Sequence, residues 1–464
     1  MKRVSVRAAT PEAYDLIHRG ALAFSRMESN GMRVDLKYLD RAARDVDALL
    51  AESAEHLQSG RVWRLWTKRY GRDAKLTNKH QLAKILYTDL DFECPAYTAN
   101  RTEKTDESTL EQIPLPWLRE YVAYCKLEKL RSTGLANIKA EVCGEFIHAF
   151  FNLHLVISYR SSCDTPNLQN IPIRNPVIGE IIRRCFIPRK GRRLVEIDFK
   201  GAEVRVAVCY TKDPTLMDDV INPERDMHRD MAMEIYKLKR SQVAKEIRNT
   251  AKNKFVFPEF YGSYYPQVSI DLWEDISRYN LKVGEKSLKQ HLAEKGITSL
   301  GACNPKHDPV PGTLEHHVQQ VEKRFWHKRY KVYTDWKNQW WESYLKSGGF
   351  LTHTGFYIEG VLRKNQVLNL PIQGSAFHCN LWTIIQLDDW LQRKRMRTVL
   401  ISQIHDSILA DVPDDEFDCY VQKVKWLVEV GVRRAYPWLI IPLSVEASAT
   451  ERNQSWYTKK EIAL

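Results

Sequence analysis

The sequence lacks the features that define several classes of protein. None of its apolar runs approaches the length of about 18 residues that a membrane span needs, and no apolar core follows the basic N-terminus, so we expect neither a span nor a signal peptide. Its nine cysteines are odd in number and form no Cys-x-x-Cys pair. This pattern argues against a disulfide framework or zinc site and favours a reducing compartment. Repeats and low-complexity tracts are absent as well.

Acidic residues are outnumbered. The 464 residues include 70 Lys and Arg against 58 Asp and Glu, which gives a net charge of +12 and a pI near 9.1. This balance indicates a polyanionic partner, although general solubility also explains it. The 13 Trp and 21 Tyr favour nucleic acid, because rings beside cations can stack bases. The length predicts about two to four domain-sized units.

Two predicted strand regions each carry an aspartate at a strand end. Residues 194–199 are mostly apolar and predict a buried strand that holds Asp198. Residues 398–412 predict a β-hairpin whose turn is His405-Asp406-Ser407. If the strands share one sheet, the carboxylates meet, and hard carboxylates with open positions suit Mg²⁺ and phosphate chemistry. Either aspartate alone would more often cap a turn or pair with an arginine.

A cationic stripe lies on a predicted helix capped by Ser241. Lys245, Arg248 and Lys252 fall at +3 and +4 spacing and therefore share one face. No acid stands at i±4, so the cations repel one another unless an anion lies across them. The stripe is either a solvated helix face or a triphosphate site.

Two further polar stretches are candidates for contact with nucleic acid. Residues 158–172 carry hydroxyls, amides and Arg160, and form either an ordinary loop or a set of donors for a sugar-phosphate backbone. Residues 116–143 read as one long helix. Its basic residues include Lys126, Lys129 and Arg131. They form either a solvated face or a surface that grips phosphates.

Local signals predict the ends of other helices. Residues 11–30 form a helix that Gly31 ends, and Asp35 caps the next. A long helix is expected over 369–393, and another over 414–435.

Taken together, these residues resemble the polymerase domain of family A DNA polymerases, the bacterial DNA polymerase I type, from about residue 12 to the end. Each motif is moderately specific, and five in the right order are very specific. The matching residues are the segment 166–172; Asp198, Glu203 and Arg205; Arg248 and Lys252; Asn369 and Gln373; and His405 with Asp406.

The resemblance implies roles for these residues. Asp198 and Asp406 would bind two Mg²⁺ ions, with help from the Phe199 carbonyl, and Mn²⁺ could substitute. Catalysis would also use Lys252. The nucleotide would contact Arg248, Lys252, His228, Glu203 and one of Phe260 and Tyr261. The DNA contacts would be Arg160, Gln169, Asn170, Arg205, Asn369, Gln373, His405, Lys126, Lys129 and Arg131.

The implied fold is an α+β right hand, in which a palm with an antiparallel sheet stands between helical fingers and a helical thumb. The expected boundaries are 1–50 for the N-terminal helices of the palm, 51–145 for the thumb, 146–211 for the palm with the first metal aspartate, 212–352 for the fingers and 353–464 for the palm with the second.

The sequence departs from the family pattern in three places. The segment beginning Tyr159-Arg160 is one residue shorter, and Ser407 stands where the third motif continues with Glu. In the fingers helix, Pro258 should kink or end an α-helix, and the aromatic positions are displaced by one residue. One extra residue in a π-bulge would restore Tyr261 to the nucleotide-facing position, so we favour Tyr261 over Phe260.

The resemblance implies template-directed addition of deoxynucleotides to a primer 3′-end by two-metal phosphoryl transfer. The rivals are a single-subunit RNA polymerase, a non-catalytic DNA-binding protein on a polymerase scaffold and a metal nuclease. Glu203 distinguishes a DNA polymerase from a single-subunit RNA polymerase, because a carboxylate near the sugar leaves no room for a 2′-hydroxyl.

The expected partners are primer-template DNA, dNTPs and replication helper proteins, with no membrane. We expect a monomer in the cytoplasm of a bacterium or a phage-infected cell. We also expect no 3′–5′ exonuclease in this chain, because the match to the hand begins within about a dozen residues of Met1 and a domain needs ~100 residues or more.

Overall fold

The computed structural model describes residues 4–98, 100–171, 175–304 and 306–464. The helices are α1 (Pro11–Asn30), α2 (Leu36–Ser59), α3 (Arg61–Tyr70), α4 (Lys79–Lys84), α5 (Glu107–Leu110), α6 (Pro116–Lys129), α7 (Ala136–Glu141), α8 (Pro176–Arg184), α9 (Ala202–Thr211), α10 (Pro214–Ile221), α11 (Met227–Tyr236), α12 (Lys245–Ala251), α13 (Phe257–Phe260), α14 (Tyr265–Arg278), α15 (Leu288–Glu294), α16 (Leu314–Arg324), α17 (Lys331–Ser347), α18 (Lys364–Lys394), α19 (Phe417–Trp426) and α20 (Val432–Ala435). Turns of π-helix extend or join several of them, at Ile85–Asp89, Leu130–Leu135, Lys252–Val256, Phe325–Arg329 and Leu427–Gly431.

The strands are shorter than the helices, and every pairing between them is antiparallel within the described ranges. They are β1 (Ser5–Ala8), β2 (Met32–Arg33), β3 (Val142–Cys143), β4 (Phe146–Ile147), β5 (Phe150–Asn152), β6 (Ser162–Asp164), β7 (Arg192–Phe199), β8 (Lys282–Val283), β9 (Lys286–Ser287), β10 (Gly349–Leu351), β11 (Phe356–Glu359), β12 (Val399–Ile404), β13 (Ser407–Pro413), β14 (Val445–Ala449) and β15 (Lys460–Ile462). Helices surround a central antiparallel sheet, so the α+β prediction is confirmed.

The central sheet has the strand order β12-β13-β7-β14-β15. Strand β7 lies in its middle, and Leu194, Val195 and Ile197 are buried there. A β-branched or apolar run suits such a position, since neighbours cover both of its faces. β13 pairs directly with β7, with Ser407 opposite Asp198. The two aspartate-bearing strands therefore share one sheet, which is the condition for their carboxylates to meet.

The hairpin between β12 and β13 is tighter than predicted. Ile404 pairs with Ser407, so the turn is the two residues His405 and Asp406, and Ser407 already belongs to β13. His405 has a φ of 52°, the left-handed conformation that two-residue hairpin turns require. The expectation that Ser407 lies in the turn is corrected, because its hydroxyl is buried and donates to the Ile404 carbonyl.

Helix α18 packs on α1 and α9. The sequence places its start at Asn369, whereas it begins at Lys364 and contains Pro371. A proline inside a helix removes the hydrogen bond to the carbonyl four residues earlier, here that of Val367. Trp340 Nε1 donates to that carbonyl at 3.2 Å, so the group remains satisfied and the helix continues.

Helix ends at the N-terminal side follow the sequence signals. Gly31 ends α1, and Asp35 caps α2 by accepting from the Tyr38 amide. The expected long helix over 116–143 is wrong in its last part, because residues 142–143 form β3 and pair with β4. None of the described helices is long and apolar enough to cross a membrane.

Residues between Leu57 and Val122 have a hydrophobic core of their own, centred on Trp66 and Tyr121. The main core is separate and takes in the central sheet, α1, α18 and most of the helices between residues 202 and 333. Helix α2 connects the two, since Leu39 belongs to the main core and Leu57 to the smaller one.

Candidate active site

Asp198 and Asp406 form the floor of a cleft of about 290 Å³. Their neighbouring strands bring them together, and the Phe199 amide donates to the Asp406 carbonyl at 3.3 Å. The buried Asn380 on α18 donates to the same carbonyl at 2.9 Å. Backbone pairing and one buried amide therefore fix the turn that carries Asp406.

The two carboxylates lack sufficient positive charge from the protein. Asp198 reaches water in the cleft, yet protein surrounds it on most sides, and this loss of hydration together with repulsion from Asp406 raises its pKa to about 7. Burial also raises the pKa of Asp406, against the opposing effect of Arg160, whose Nη2 lies 3.9 Å from Asp406 Oδ1. Paired oxygen ligands with unrelieved negative charge fit a divalent cation such as Mg²⁺.

The donor set is small. Within the described residues there is no group of three or more His, Cys, Asp or Glu side chains placed to hold a metal. Mg²⁺ commonly uses one or two carboxylates and takes its other ligands from water and substrate phosphates. Ser407 agrees with this limited set, because it is a buried strand residue and supplies no third carboxylate.

Glu203 stands on the first turn of α9, above the two aspartates. Arg160 Nη1 donates to its Oε1 at 3.0 Å, and the Tyr261 hydroxyl donates to its Oε2 at 2.5 Å. Burial raises the pKa of Glu203, while the bonds from Tyr261 and Arg160 act in the opposite direction. Two donors from different parts of the chain thus hold this carboxylate in one orientation.

The helix that carries the displaced aromatic positions contains a π-helical turn over Lys252–Val256, in which the Phe257 amide donates to the Lys252 carbonyl. The turn ends two residues before Pro258, which has no amide to donate. Tyr261 is 46% exposed and lines the cleft. Phe260 also touches the cleft, but its ring packs among aromatic neighbours, with Tyr333 stacked at 5.8 Å.

The stripe of Lys245, Arg248 and Lys252 was expected to lack a matching acid, and this holds only in part. Arg248 Nε donates to Asp226 at 2.8 Å, so the protein itself supplies one anion for the stripe. Lys252 lines the cleft, with its Nζ 5.2 Å from the centre of the Phe257 ring, whereas Lys245 is exposed. The pairing of Asp226 with Arg248 was not predicted from the sequence. The only local signal of Asp226 is its place as the cap of α11, two residues before His228.

His228 lies beside these cations. Burial lowers its pKa to about 4, and the charges of Arg248 and Lys252 act in the same direction. Its ring is therefore neutral near pH 7, and its Nδ1 is buried with no hydrogen-bond partner within the described part of the chain. An unsatisfied ring nitrogen next to two cations is an arrangement that an added anionic ligand would complete.

Two asparagines one turn apart on α18 hold the chain just after α13. Asn369 Nδ2 donates to the Tyr261 carbonyl at 2.9 Å, and Asn365 Nδ2 donates to the Gly262 carbonyl at 3.0 Å. Gly262 has a φ of +87°, and a Cβ there would lie 2.7 Å from the Asn365 side chain. Asn365 was not predicted, because the sequence places the start of α18 after it.

A second hollow of about 280 Å³ adjoins the floor and includes Arg160, Gln169, Gln373 and His405. Its polar side chains are organised by the buried Gln403. Gln403 Oε1 accepts from Gln169 Nε2 at 2.9 Å and from the hydroxyl of Ser161 at 2.5 Å, and its amide donates to the His405 carbonyl. The role of Gln403 was not predicted from the sequence, because this residue lies within the buried strand β12. Asn170 is exposed nearby, and Pro172 of the same motif lies outside the described residues.

Other predicted DNA contacts lie away from the cleft or are engaged within the protein. Arg205 donates to the carbonyls of Pro442, Val220 and Lys200, so its guanidinium joins α9 to neighbouring loops. Lys126 pairs with Glu107 at 2.7 Å and Arg131 with Asp47 at 2.6 Å, while Lys129 is exposed. None of these four lines the cleft.

Comparisons with known proteins agree on a single family. The sequence pattern of DNA polymerase family A matches residues 48–281 and 352–457. The thermostable DNA polymerase I of Thermus thermophilus is 28% identical over 451 residues, which is 94% of this chain and 47% of that protein. DNA polymerase I of Chloroflexus aurantiacus is 26% identical over 470 residues, covering 98% of this chain and 44% of that protein. The chain thus spans less than half the length of these relatives.

A solved structure has the same fold. It is the POL domain of Pol1 from M. smegmatis, in a complex with DNA primer-template and dNTP, and it superposes with a TM-score of 0.74 at 22% identity. The match covers 95% of this chain and 70% of that one. The expected right-hand polymerase fold is therefore confirmed, and the family match extends over most of the sequence. The chain belongs to DNA polymerase family A.

Proposed function

We propose that this chain is a template-directed DNA polymerase that adds deoxynucleotides to the 3′-end of a primer. The observation that carries the proposal is the adjacency of Asp198 and Asp406 on the floor of a cleft whose wall includes Lys252, Glu203 and Tyr261. Paired carboxylates, a cationic wall and a restrained carboxylate between them match the needs of phosphoryl transfer from a deoxynucleoside triphosphate.

Asp198, Asp406 and the Phe199 carbonyl would hold two Mg²⁺ ions, for which Mn²⁺ could substitute. When bound, the ions lower the pKa of the primer hydroxyl and balance the charge of the leaving pyrophosphate. The protein's own part is to position these ligands. The β7–β13 pairing fixes the distance between the two aspartates before any substrate enters, so little reorganisation is needed.

Lys252, Arg248 and His228 would bind the triphosphate. Lys252 reaches the cleft directly, and Arg248 would share its charge between Asp226 and the phosphates. The vacant Nδ1 of His228 would meet a phosphate oxygen, and the added negative charge would raise the pKa of the ring and favour its protonated, donating form.

Glu203 would select deoxyribose over ribose. Arg160 and Tyr261 hold its carboxylate in place, so it cannot swing aside without losing both bonds. A fixed carboxylate beside the sugar leaves no room for a 2′-hydroxyl, which favours a DNA polymerase over a single-subunit RNA polymerase. Tyr261 is the preferred nucleotide-facing aromatic, because Phe260 is occupied in an aromatic cluster.

DNA would lie across the second hollow and against the part of the chain that has its own smaller core, between Leu57 and Val122. Arg160, Gln169, Gln373 and His405 would contact the primer end next to Asp406, and Asn369 and Asn170 the adjoining strands. We propose that residues 51–145 act as a thumb, supported by their separate core, with residues 212–352 as fingers and the remaining segments as the palm. Lys126, Lys129 and Arg131 would contribute backbone contacts from that thumb. Arg205 is left out, since its donors are committed to protein carbonyls.

Primer extension on a defined template with Mg²⁺ tests the proposal. The unaltered chain should extend the primer, and Asp406→Ala should not. The chain should also fail to shorten a 3′-mismatched, end-labelled primer without nucleotides, which tests the separate prediction that it has no 3′–5′ exonuclease. Absence of extension by well-folded protein that binds the primer-template would instead indicate a non-catalytic DNA-binding role.

A further inference from the structure

A further concave surface, separate from both the cleft and the second hollow, lies on α18 well beyond the turns that line the cleft. Two adjoining hollows, of about 420 and 430 Å³, share Trp382, Gln386 and Ala435 and so form one continuous groove. Helices α1, α18 and the α19–α20 segment provide its walls. We call it the tryptophan groove. Its lining and that of the catalytic cleft have no residue in common.

Aromatic rings dominate one half of this groove. Trp382, Gln386 and Trp390 stand on successive turns of α18 and therefore face the same way. Trp426 approaches from α19 and is 42% exposed. A Cβ at Gly431 would lie 3.3 Å from both Trp382 and Trp426, so the missing side chain lets the rings close on the hollow. Clustered indole surface of this kind, exposed at Trp426 and half-buried at Trp382 and Trp390, is typical of a binding site.

Unpaired cations surround the rings. Lys423 Nζ lies 4.6 Å from the centre of the Trp426 ring and 5.9 Å from that of Trp390, and Arg434 lies 5.6 Å from Trp426. Arg393 adds a third cation. Within the ranges that the structure describes, none of the three forms an ion pair with a carboxylate, although Arg19 at the other end of the groove pairs with both Asp15 and Asp389. The aromatic half therefore has a net positive charge that its own protein does not balance.

We propose that the tryptophan groove binds an acidic peptide segment of a partner protein, with one aromatic or large apolar side chain inserted between Trp382 and Trp426. Carboxylates of the segment would pair with Lys423, Arg434 and Arg393. A nucleic-acid strand fits less well, because Glu12 and Asp15 line the far end of the same groove and would repel a continuous row of phosphates. This surface gives the expected helper protein a defined docking place.

The test is fluorescence anisotropy of the full chain with a labelled peptide of aspartate and serine that carries one phenylalanine. Two comparison peptides replace either the aspartates by asparagine or the phenylalanine by alanine, and labelled oligothymidylate is a third comparison probe. The acidic aromatic peptide should bind, and each comparison peptide should bind at least about tenfold more weakly. Equal binding of the aspartate and asparagine peptides would overturn the proposal.

Charge reversal locates the site. Lys423→Glu with Arg434→Glu should weaken peptide binding at least about tenfold, while Lys425→Glu, on the same helix but outside the groove lining, should have little effect. The melting temperature and primer extension should stay close to those of the unaltered chain, because these residues are exposed or half-exposed and remote from the cleft. If the double variant Lys423→Glu/Arg434→Glu binds the peptide as tightly as the unaltered chain does, the peptide does not bind in the tryptophan groove and the proposal is refuted. Oligothymidylate that binds more tightly than the peptide and is lost with the double variant would show a nucleic-acid surface instead.

Discussion

The floor of the candidate active-site cleft and the wall opposite it are held by different kinds of interaction. Asp198 and Asp406 are placed by strand pairing between β7 and β13, which repeats along seven residue pairs. The wall from Lys252 to Gly262 is held mainly by side chains, through Tyr261–Glu203 and the two asparagines of α18. A single such hydrogen bond contributes only about 1 kcal/mol net. The floor should therefore behave as a fixed frame and the wall as the part that adjusts to substrate.

Substitution of the floor carboxylates should have the largest effect. Asp198→Ala or Asp406→Ala should reduce single-turnover extension by at least about a thousandfold, because each would remove a proposed ligand for the metal ions. Primer-template affinity, measured by anisotropy, should change less than about threefold, since distributed basic charge supplies most of it. A variant with near-normal extension would remove that residue from the metal site.

Removal of Lys252, the cation in the wall of the cleft, should have the next largest effect on extension. Lys252→Ala should lower the extension rate by about a hundredfold, since it removes charge stabilisation of the phosphates. Lys245→Ala is the matched control, because Lys245 is exposed on the same helical face and does not line the cleft. Equal losses in the two variants would mean that the stripe acts through general charge and not through a triphosphate site.

Sugar selection should change by a smaller factor. Glu203→Ala should raise ribonucleotide relative to deoxyribonucleotide incorporation by about tenfold or more, because it opens space beside the 2′ position. Glu203→Gln keeps the volume and should retain most of the discrimination while weakening the contact with Arg160. If single-nucleotide kinetics show unchanged discrimination in Glu203→Ala, selection lies elsewhere, with Tyr261 the first candidate.

The asparagine contacts should have a modest effect. Asn365→Ala removes one hydrogen bond to the Gly262 carbonyl, which corresponds to about a fivefold change in the apparent dNTP affinity. Asn380→Ala tests the floor in the same way, since it removes the bond to the Asp406 carbonyl, and should lower the rate at saturating dNTP instead. Identical kinetic signatures for the two variants would contradict the distinction between wall and floor.

The smallest effect concerns pH and stability. The pKa of Asp198 is raised to about 7 in the folded chain, so its protonated form favours folding, and this contribution disappears as the pH rises from about 4 through 7. Because Asp198 is partly exposed and water screens part of this effect, Asp198→Asn should raise the melting temperature at pH 8 only slightly and leave it nearly unchanged at pH 4. Mg²⁺ should raise the melting temperature of the unaltered chain at pH 8 more than that of the variant. If the unaltered chain and Asp198→Asn have equal melting temperatures at pH 8 without Mg²⁺, the ionised carboxylate of Asp198 does not destabilise the folded chain.

Local patterns predicted the parts of this site that the backbone defines. The buried strand before Asp198, the hairpin around Asp406 and the extra residue before Tyr261 all leave a signature in a short stretch of sequence. Contacts made by side chains from distant segments leave none. Asp226 lies 22 residues from its partner Arg248, and Gln403 looks like one more buried strand residue. The sequence motif predicted that Arg205 contacts DNA, but its position in the motif gives no sign that protein carbonyls occupy its donors.

The most direct test of the central claim is single-nucleotide incorporation with four primer-templates that differ only in the next template base. Each should be offered each of the four dNTPs in turn, with Mg²⁺. If the cleft performs template-directed synthesis, only the complementary dNTP will be added efficiently to each template, and chelation of Mg²⁺ will stop the reaction. Extension that ignores the template base, or a folded chain that binds every template and extends none, would contradict the account.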